Sequence, residues 1–470
     1  MAQDPRRRAD DSDGKEAPMT FRAGGIFSGL DTNSIIEQLV ALERIPIQNL
    51  QKKQATIDTQ KSLLNEISSA LSSLESLLSG MDRSSEILAY TASSSDESVL
   101  RASASGSASP GAYSIQVLQR ARAEQDRSVA FASADAEVKA GTLQITVGSA
   151  DPVEVTIEEG MTLSDVAYAI NQSGAAVTAA VIDTGSAAYL TVYARDTGYE
   201  GSADDALVIS ESYSGSSGQE LSLTQTVQAQ NAQVMFDGLL VERRENRLTG
   251  VVPGLTLDIL DDTGQSTVQV TVSADAATVK GRVQAFVDAY NKVVSLLHSQ
   301  FVRDADGGVG VLFGDSTLRG LLSRLQLAAG EPVSQAGSDI ATLYQIGIKT
   351  GSDGTLSVDS AELDEALAED MTGVAGLFVQ ESSGLAARFG AVAADYTDVV
   401  SGILVQRQEG LDSRRENLSD QIARMEQRVA DYEALLVQQF TYLETVISQL
   451  KAQQTSLLNW SSQFNTDQNG

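Results

Sequence analysis

His298 is the chain's single histidine, and it sits in a helical stretch beside Leu296 and Leu297, away from any turn that could carry a nucleophile. A histidine on a helix face of this kind is a surface or partly packed residue rather than a general base. There is no cysteine, so thiolate catalysis, a thiolate metal site and disulfides are all excluded. The chain has no Gly-x-Ser-x-Gly elbow, no Gly-x4-Gly-Lys-Ser/Thr phosphate cradle and no His-Glu-x-x-His zinc motif. Asp304-Ala305-Asp306-Gly307-Gly308 has the acidic start of a calcium loop but lacks the fifth-position ligand and the closing glutamate, so it reads as a polar turn. Asp261-Asp262 and Glu158-Glu159 have the composition for acid/base work on a glycan, yet both fall at strand ends, where acidic turns are common. The basic cluster Arg243, Arg244 and Arg247 fits either a subunit contact or a solvated loop pairing with Glu242 and Glu245. The expectation is therefore a non-enzymatic chain with no catalytic residue, no cofactor and no metal site.

Composition narrows the partners. With 33 Lys+Arg against 63 Asp+Glu, the formal charge of −30 repels nucleic acid and anionic membrane alike. No run approaches the ~20 apolar residues of a membrane helix, and no early charged-then-apolar block has the form of a cleaved secretion signal. Export, if it occurs, is expected by a route without a cleaved peptide, and a thiol-free chain can be unfolded and refolded on the way. A length of 470 residues exceeds one core and predicts about three domains.

The patterned sequence begins after residues 1–22, where Arg6, Arg7 and Arg8 precede Asp10, Asp11 and Asp13 without apolar periodicity; this stretch is expected to be disordered, with Met19 as a candidate natural start. Residues 23–47 form an N-terminal foot, with Asp31 or Thr32 as a helix cap and Pro46 as an interruption. From 48 to 85, Leu50, Ile57, Leu64, Leu71 and Leu78 recur every seven residues, predicting a coiled-coil helix. At the far end, 403–460, Ile422, Val429, Leu436, Leu443, Leu450 and Leu457 repeat the device, before a tail at 461–470. Its partner position is partly polar, with Gln439 and Gln453, which predicts a movable leg.

Between the ends the period changes from seven to two. Tyr113, Ile115 and Val117, then Leu143, Ile145 and Val147, then Val153, Val155 and Ile157 mark strands. A short helix capped by Thr162 or Ser164 and ending at Gly174 precedes strands at Val177–Val181 and Tyr189–Tyr193. Residues 119–226 read as one inserted outer α+β module. A β module formed by 86–118 and 227–274 flanks it on both sides. Residues 275–402 return to helix, with a hairpin signalled by Gly351-Ser352-Asp353-Gly354. The fold class expected is a multidomain α+β protein: a helical, coiled-coil stem from both chain ends and nested β-rich head domains in the middle.

Specific residues then narrow the identity. Gly29-Leu30-Asp31-Thr32-Asn33-Ser34-Ile35-Ile36 with Glu43-Arg44-Ile45-Pro46-Ile47, then Phe236-Asp237-Gly238, Asn246, Leu248 and Val252-Pro253-Gly254-Leu255, then Ile346-Gly347-Ile348, Gly354-Thr355-Leu356 and Leu377-Phe378 resemble, in order, blocks of the flagellar filament cap family, hook-associated protein 2 or FliD. The resemblance covers about half the chain and leaves 119–226 matched only in general character. It implies an extracellular cap at the flagellum tip, a homo-oligomeric ring of five or six subunits. It implies flagellin and the hook–filament junction protein as partners, and an export chaperone on the C-terminal helix before secretion. The rival readings from the residues alone are a surface adhesin or phage-type fibre subunit and, third, a polymer hydrolase. A fibre coil trimerises along one continuous segment, whereas here the two heptad segments lie at opposite ends of one chain and can pair within it.

Overall fold

The computed structural model describes residue 29 and residues 31–262, 264, 266–303, 307–335 and 337–466. Residues 1–22 and Met19 within them, Leu30, the acidic turn at 304–306 and the last four residues of the tail lie outside the described residues.

Asp31 starts the first helix: its carboxylate accepts the Ser34 N–H at 3.0 Å, so it serves as the N-cap. Helix α1 then runs Thr32–Ser79 without a break, with Pro46 inside it. The expected interruption does not occur. Proline removes only one backbone hydrogen bond, to the carbonyl of Leu42, and Leu42 is exposed enough for solvent to take that carbonyl. Buried Ile36 and Val40 before the proline and Ile47 after it hold one helix face continuous.

A short helix α2 (Ser84–Ile87) leads into strands β1 (Tyr90–Ser94), β2 (Leu100–Ala104) and β3 (Gly111–Gln119). Next come β4 (Gln125–Arg127), β5 (Gly141–Val147), β6 (Val153–Ile157), helix α3 (Leu163–Gln172), β7 (Val177–Asp183), β8 (Ala188–Ala194), β9 (Leu207–Tyr213) and β10 (Thr224–Val227). The chain returns through β11 (Ala232–Phe236), β12 (Leu239–Arg243), β13 (Arg247–Thr249), β14 (Leu255–Ile259) and β15 (Val268–Ala274). Helices α4 (Ala276–Ser299) and α5 (Ser316–Gly330), the hairpin β16 (Ile348–Thr350) and β17 (Leu356–Val358), and helices α6 (Ser360–Val379), α7 (Leu385–Thr397) and α8 (Ile403–Thr466) complete it. Helical ends thus enclose a β-rich middle.

The chain divides into two compact units, one built from the described parts of Met1–Ser69, Ser299–Thr317 and Asp395–Gly470, the other from Ala70–His298 and Leu318–Ala394. The second unit holds the β modules. A five-stranded sheet in the order β1-β15-β3-β11-β12 and a three-stranded sheet in the order β13-β14-β2 share one core of alternating residues, among them Ile115, Val117, Val234, Leu257, Ile259 and Val270. Period-2 patterning buries one face of each strand, and two such faces make a sandwich. Inserted between β3 and β11, the outer module packs the sheets β10-β4-β8-β7 and β6-β5-β9 with α3 around Leu143, Ile145, Val166, Ile170, Leu190 and Val192. Thr162 caps α3 reciprocally with Asp165, and Gly174 follows its end at φ +81°.

In the helical part of that unit, Phe286 and Tyr290 of α4 meet Phe378 and Phe389, the Phe286–Phe378 rings standing edge-on at 5.4 Å. Asn291 donates to the Leu356 carbonyl and accepts the Leu356 N–H, both at 2.7 Å, fastening the β16–β17 hairpin to α4. The Gly351–Gly354 turn signal therefore marks a real hairpin, paired from Ile348 opposite Val358 to Thr350 opposite Leu356.

Candidate assembly surfaces

The residues that could carry chemistry come apart in space. His298 lies half-buried near the end of α4. Asp261 and Asp262 are tied to Arg120, whose Nε lies 3.9 Å from each carboxylate and whose guanidinium also donates to the Leu260 carbonyl at 2.6 Å. Glu158 and Glu159 are exposed just past β6, leading into Gly160 at φ +86°. Among the described residues no group of three or more His, Asp or Glu side chains is placed to hold a metal ion.

The basic cluster has both ion pairs and a cleft. Arg244 reaches Glu200 at 3.2 Å and Arg247 reaches Asp258 at 3.8 Å, while Arg243 donates to the neighbouring Glu242 carbonyl at 2.9 Å. Together with Tyr199, Asn231 and Glu245 they line a cleft of about 580 Å³ where the outer module joins the sandwich. The joint is closely packed: Gly198, at φ +68°, lies so near that a Cβ would meet the Arg244 carbonyl at 2.5 Å, and Asn231 accepts the Tyr199 N–H at 2.8 Å.

In the first unit, α1 and α8 pair antiparallel. Arg415 meets Asp58 at 2.6 Å, Lys61 meets Asp412, and Gln408 donates to Asn65 at 2.9 Å. The paired numbers add to 473 in each case. Further along the pair, Ile36, Val40, Ile47, Ile422, Val429 and Leu436 form a buried cluster, joined by Leu50, Met425 and Tyr432 at its edge. The segment 299–317 is bound to both helices: Gln60 of α1 donates to the Val311 carbonyl at 2.7 Å, and Arg407 of α8 pairs with Asp315 at 3.0 Å.

The heptad residues divide by position. Leu64, Leu71 and Leu78 are fully buried and Leu50 and Ile57 half-buried. Ile422, Val429 and Leu436 are buried, whereas Leu443, Leu450 and Leu457 are 50%, 58% and 64% exposed. The register explains the change: it puts Thr32, the first residue of α1, opposite about residue 441, so beyond that point α1 provides no facing helix. Tyr442 and Leu458 are exposed on the same stretch, and Gln439 and Gln453 face solvent. Sequence reasoning missed the interhelix charges. Reading the two heptad segments antiparallel aligns Asp58, Lys61 and Asn65 with Arg415, Asp412 and Gln408, which is the signal that would have found them.

The motif residues turn out to be turns and core. Gly29 is exposed at φ +78° and Asp31 caps α1. Phe236 enters the sandwich core, and Asp237 and Gly238, at φ +46° and +83°, make the tight β11–β12 turn. The Asp237 carboxylate also accepts the Ser114 N–H at 2.7 Å, pinning that turn to β3. Asn246 acts as a length of strand, accepting the Ala121 N–H at 2.7 Å and donating to the Ala121 carbonyl at 2.9 Å. Pro253 sits in the turn before β14, and Gly254, at φ +73°, passes so close to Ala108 that a Cβ would come within 2.4 Å of its nitrogen.

Against known proteins, the model of the flagellar hook-associated protein 2 N-terminus matches residues 28–124 and that of the flagellar hook-associated protein 2 C-terminus matches residues 229–452. The unmatched stretch between them is the outer module. The B-type flagellar hook-associated protein 2 of Pseudomonas aeruginosa is 31% identical over 460 residues, covering 91% of this chain and 94% of that protein. The flagellar hook-associated protein 2 of Escherichia coli K12 is 28% identical over 475 residues, covering 95% and 98%. The crystal structure of the flagellar cap protein FliD D1-D2-D3 domains from Escherichia coli superposes with a TM-score of 0.64 at 27% identity, covering 74% of this chain and 99% of that one.

Proposed function

The chain belongs to the flagellar hook-associated protein 2 family and is a flagellar filament cap protein, and on that premise we propose how its parts carry out the task. At the distal tip, outside the cell, a ring of five or six copies retains arriving flagellin and guides it into the lattice, so that filaments elongate and monomers do not leak away. The observation that supports this reading is the helix pair closed by both chain ends, which leaves the distal part of α8 with an exposed apolar stripe. A stripe of that kind suits a docking partner. Flagellin and the hook–filament junction protein are the partners we assign to it at the tip. An export chaperone would cover it before secretion. In this reading the work is done by shape and contact.

Deleting the gene tests this. The cap reading expects cells without filaments and unpolymerised flagellin in the medium, restored by the intact gene; normal filaments in the deletion strain would overturn it.

A further inference from the structure

Two carboxylates in the outer module lie where carboxylates are costly. Asp126, in the middle of β4, stands opposite Val192 of β8 and Gln225 of β10. Val192 is fully buried in the module's core, so the register turns Asp126 toward that core. Glu124, two residues earlier, takes the same face, and its carbonyl accepts the Ala194 N–H at 3.0 Å. Glu124 is 2% exposed and Asp126 7%. Gln225 donates to Glu124 Oε1 at 2.8 Å, but Glu124 Oε2 and Asp126 Oδ1 are buried without a hydrogen-bond partner, as is the Thr191 hydroxyl of β8.

The charged groups that act on the pair are also acidic: Asp204, from the turn before β9, on Glu124, and Glu211 of β9 on Asp126. Glu211 is already engaged by the Tyr213 hydroxyl at 2.6 Å and by the N–H groups of Ser222 and Leu223. The cation adjacent in sequence, Arg127, lies over the Tyr189 ring at 5.5 Å instead. From β8 the pair is faced by Val192 and Ala194, and from β10 by Gln225, all uncharged.

We propose that Glu124 and Asp126 form a proton-dependent lock in the outer module, closed when the two carboxyls are neutral and loosened when they ionise. An ionised carboxylate in this interior loses its hydration and gains no counter-charge, whereas the neutral acid loses far less. Burial pushes both groups above their ordinary carboxyl range and a neighbouring acid adds to each, outweighing for Glu124 the opposing hydrogen bonds from Gln225 and the Leu207 backbone.

The direction follows from linkage. Because the folded groups hold their protons more tightly than the unfolded ones, the stabilisation is complete below the ordinary carboxyl range and is lost as pH rises from that range through the raised folded values. In that window each carboxyl lowers the module's folding constant by at most about tenfold per pH unit. The Asp165 cap in the same module works oppositely, its carboxyl held low by the backbone and side chain of Thr162, but it fails only in stronger acid, below the ordinary aspartate range.

Hydrogen exchange on the full chain from about pH 4, in the ordinary carboxyl range, to about pH 8, expressed as protection relative to intrinsic rates, tests the lock. Protection in β4, β8 and β10 is expected to fall by about tenfold or more across the range while α4 stays level. Glu124→Gln and Asp126→Asn, singly and together, are expected to flatten the curve and keep protection high. Level protection in the unmodified chain overturns the proposal even if a variant fails to fold, and so does a folded double variant that tracks the unmodified curve. The result is independent of the cap reading, since it concerns one module's packing and not filament growth.

Discussion

Asn246 and Gly254 show how a few residues keep the sandwich in register. Both belong to sequence blocks that suggested the family, and both turn out to hold backbone rather than ligand. Replacing Asn246 with Ala leaves the Ala121 N–H and carbonyl unpaired beside a buried residue, and urea unfolding is expected to show a loss of about 2–4 kcal/mol. Gly254→Ala puts a side chain at positive φ and against the Ala108 nitrogen, and the same measurement is expected to show at least about 2 kcal/mol of destabilisation. That such positions matter was readable in the sequence from the blocks around them, but the reason was not. Asn246 acts on Ala121 across 125 residues of chain, a separation no local pattern reports. Glu124 and Asp126 were invisible for a related cause: alternation marks which residues share a face, and here the polar members of the pattern take the inner one.

At the scale of elements, the helix pair of the first unit rests on apolar contact more than on charge. Asp58 and Arg415 are each about half exposed, so a double-mutant cycle between alanine variants at these positions is expected to give less than about 1 kcal/mol. Val429→Asp, by contrast, buries an unpaired charge in the α1–α8 cluster, and a loss of about 3 kcal/mol or more is expected from thermal unfolding with loss of helical circular dichroism. The distal stripe should behave in a third way. Leu450→Ser with Leu457→Ser removes exposed side chains, so monomer stability is expected to stay within about 0.5 kcal/mol while complementation of filament growth in a deletion strain falls; unimpaired growth would deny the stripe a partner.

The elements themselves were legible to different degrees. Sevenfold repeats located both long helices, and twofold alternation located β3, β5 to β8, β11, β14 and β15, because each strand buries one face. Short strands such as β4 and β10, with little alternation, were not separable from loop. The expected break at Pro46 failed because tertiary burial on either side outweighs one lost hydrogen bond.

For the whole molecule, the nested order of helical ends and β-rich middle followed from where the period changes, and the family blocks supplied what the chain is for. Composition, by contrast, could say only what to exclude. Helical pairing joins the two ends inside one chain, and beyond residue 441 α8 carries exposed Leu443, Leu450 and Leu457. The central claim, that this chain sits at the filament tip, is tested most directly by immunogold electron microscopy of an epitope-tagged copy that restores growth to the deletion strain. Gold confined to the distal ends of filaments is the result this account predicts. Gold spread along the shafts, or remaining at the cell surface on strains with full-length filaments, would contradict it.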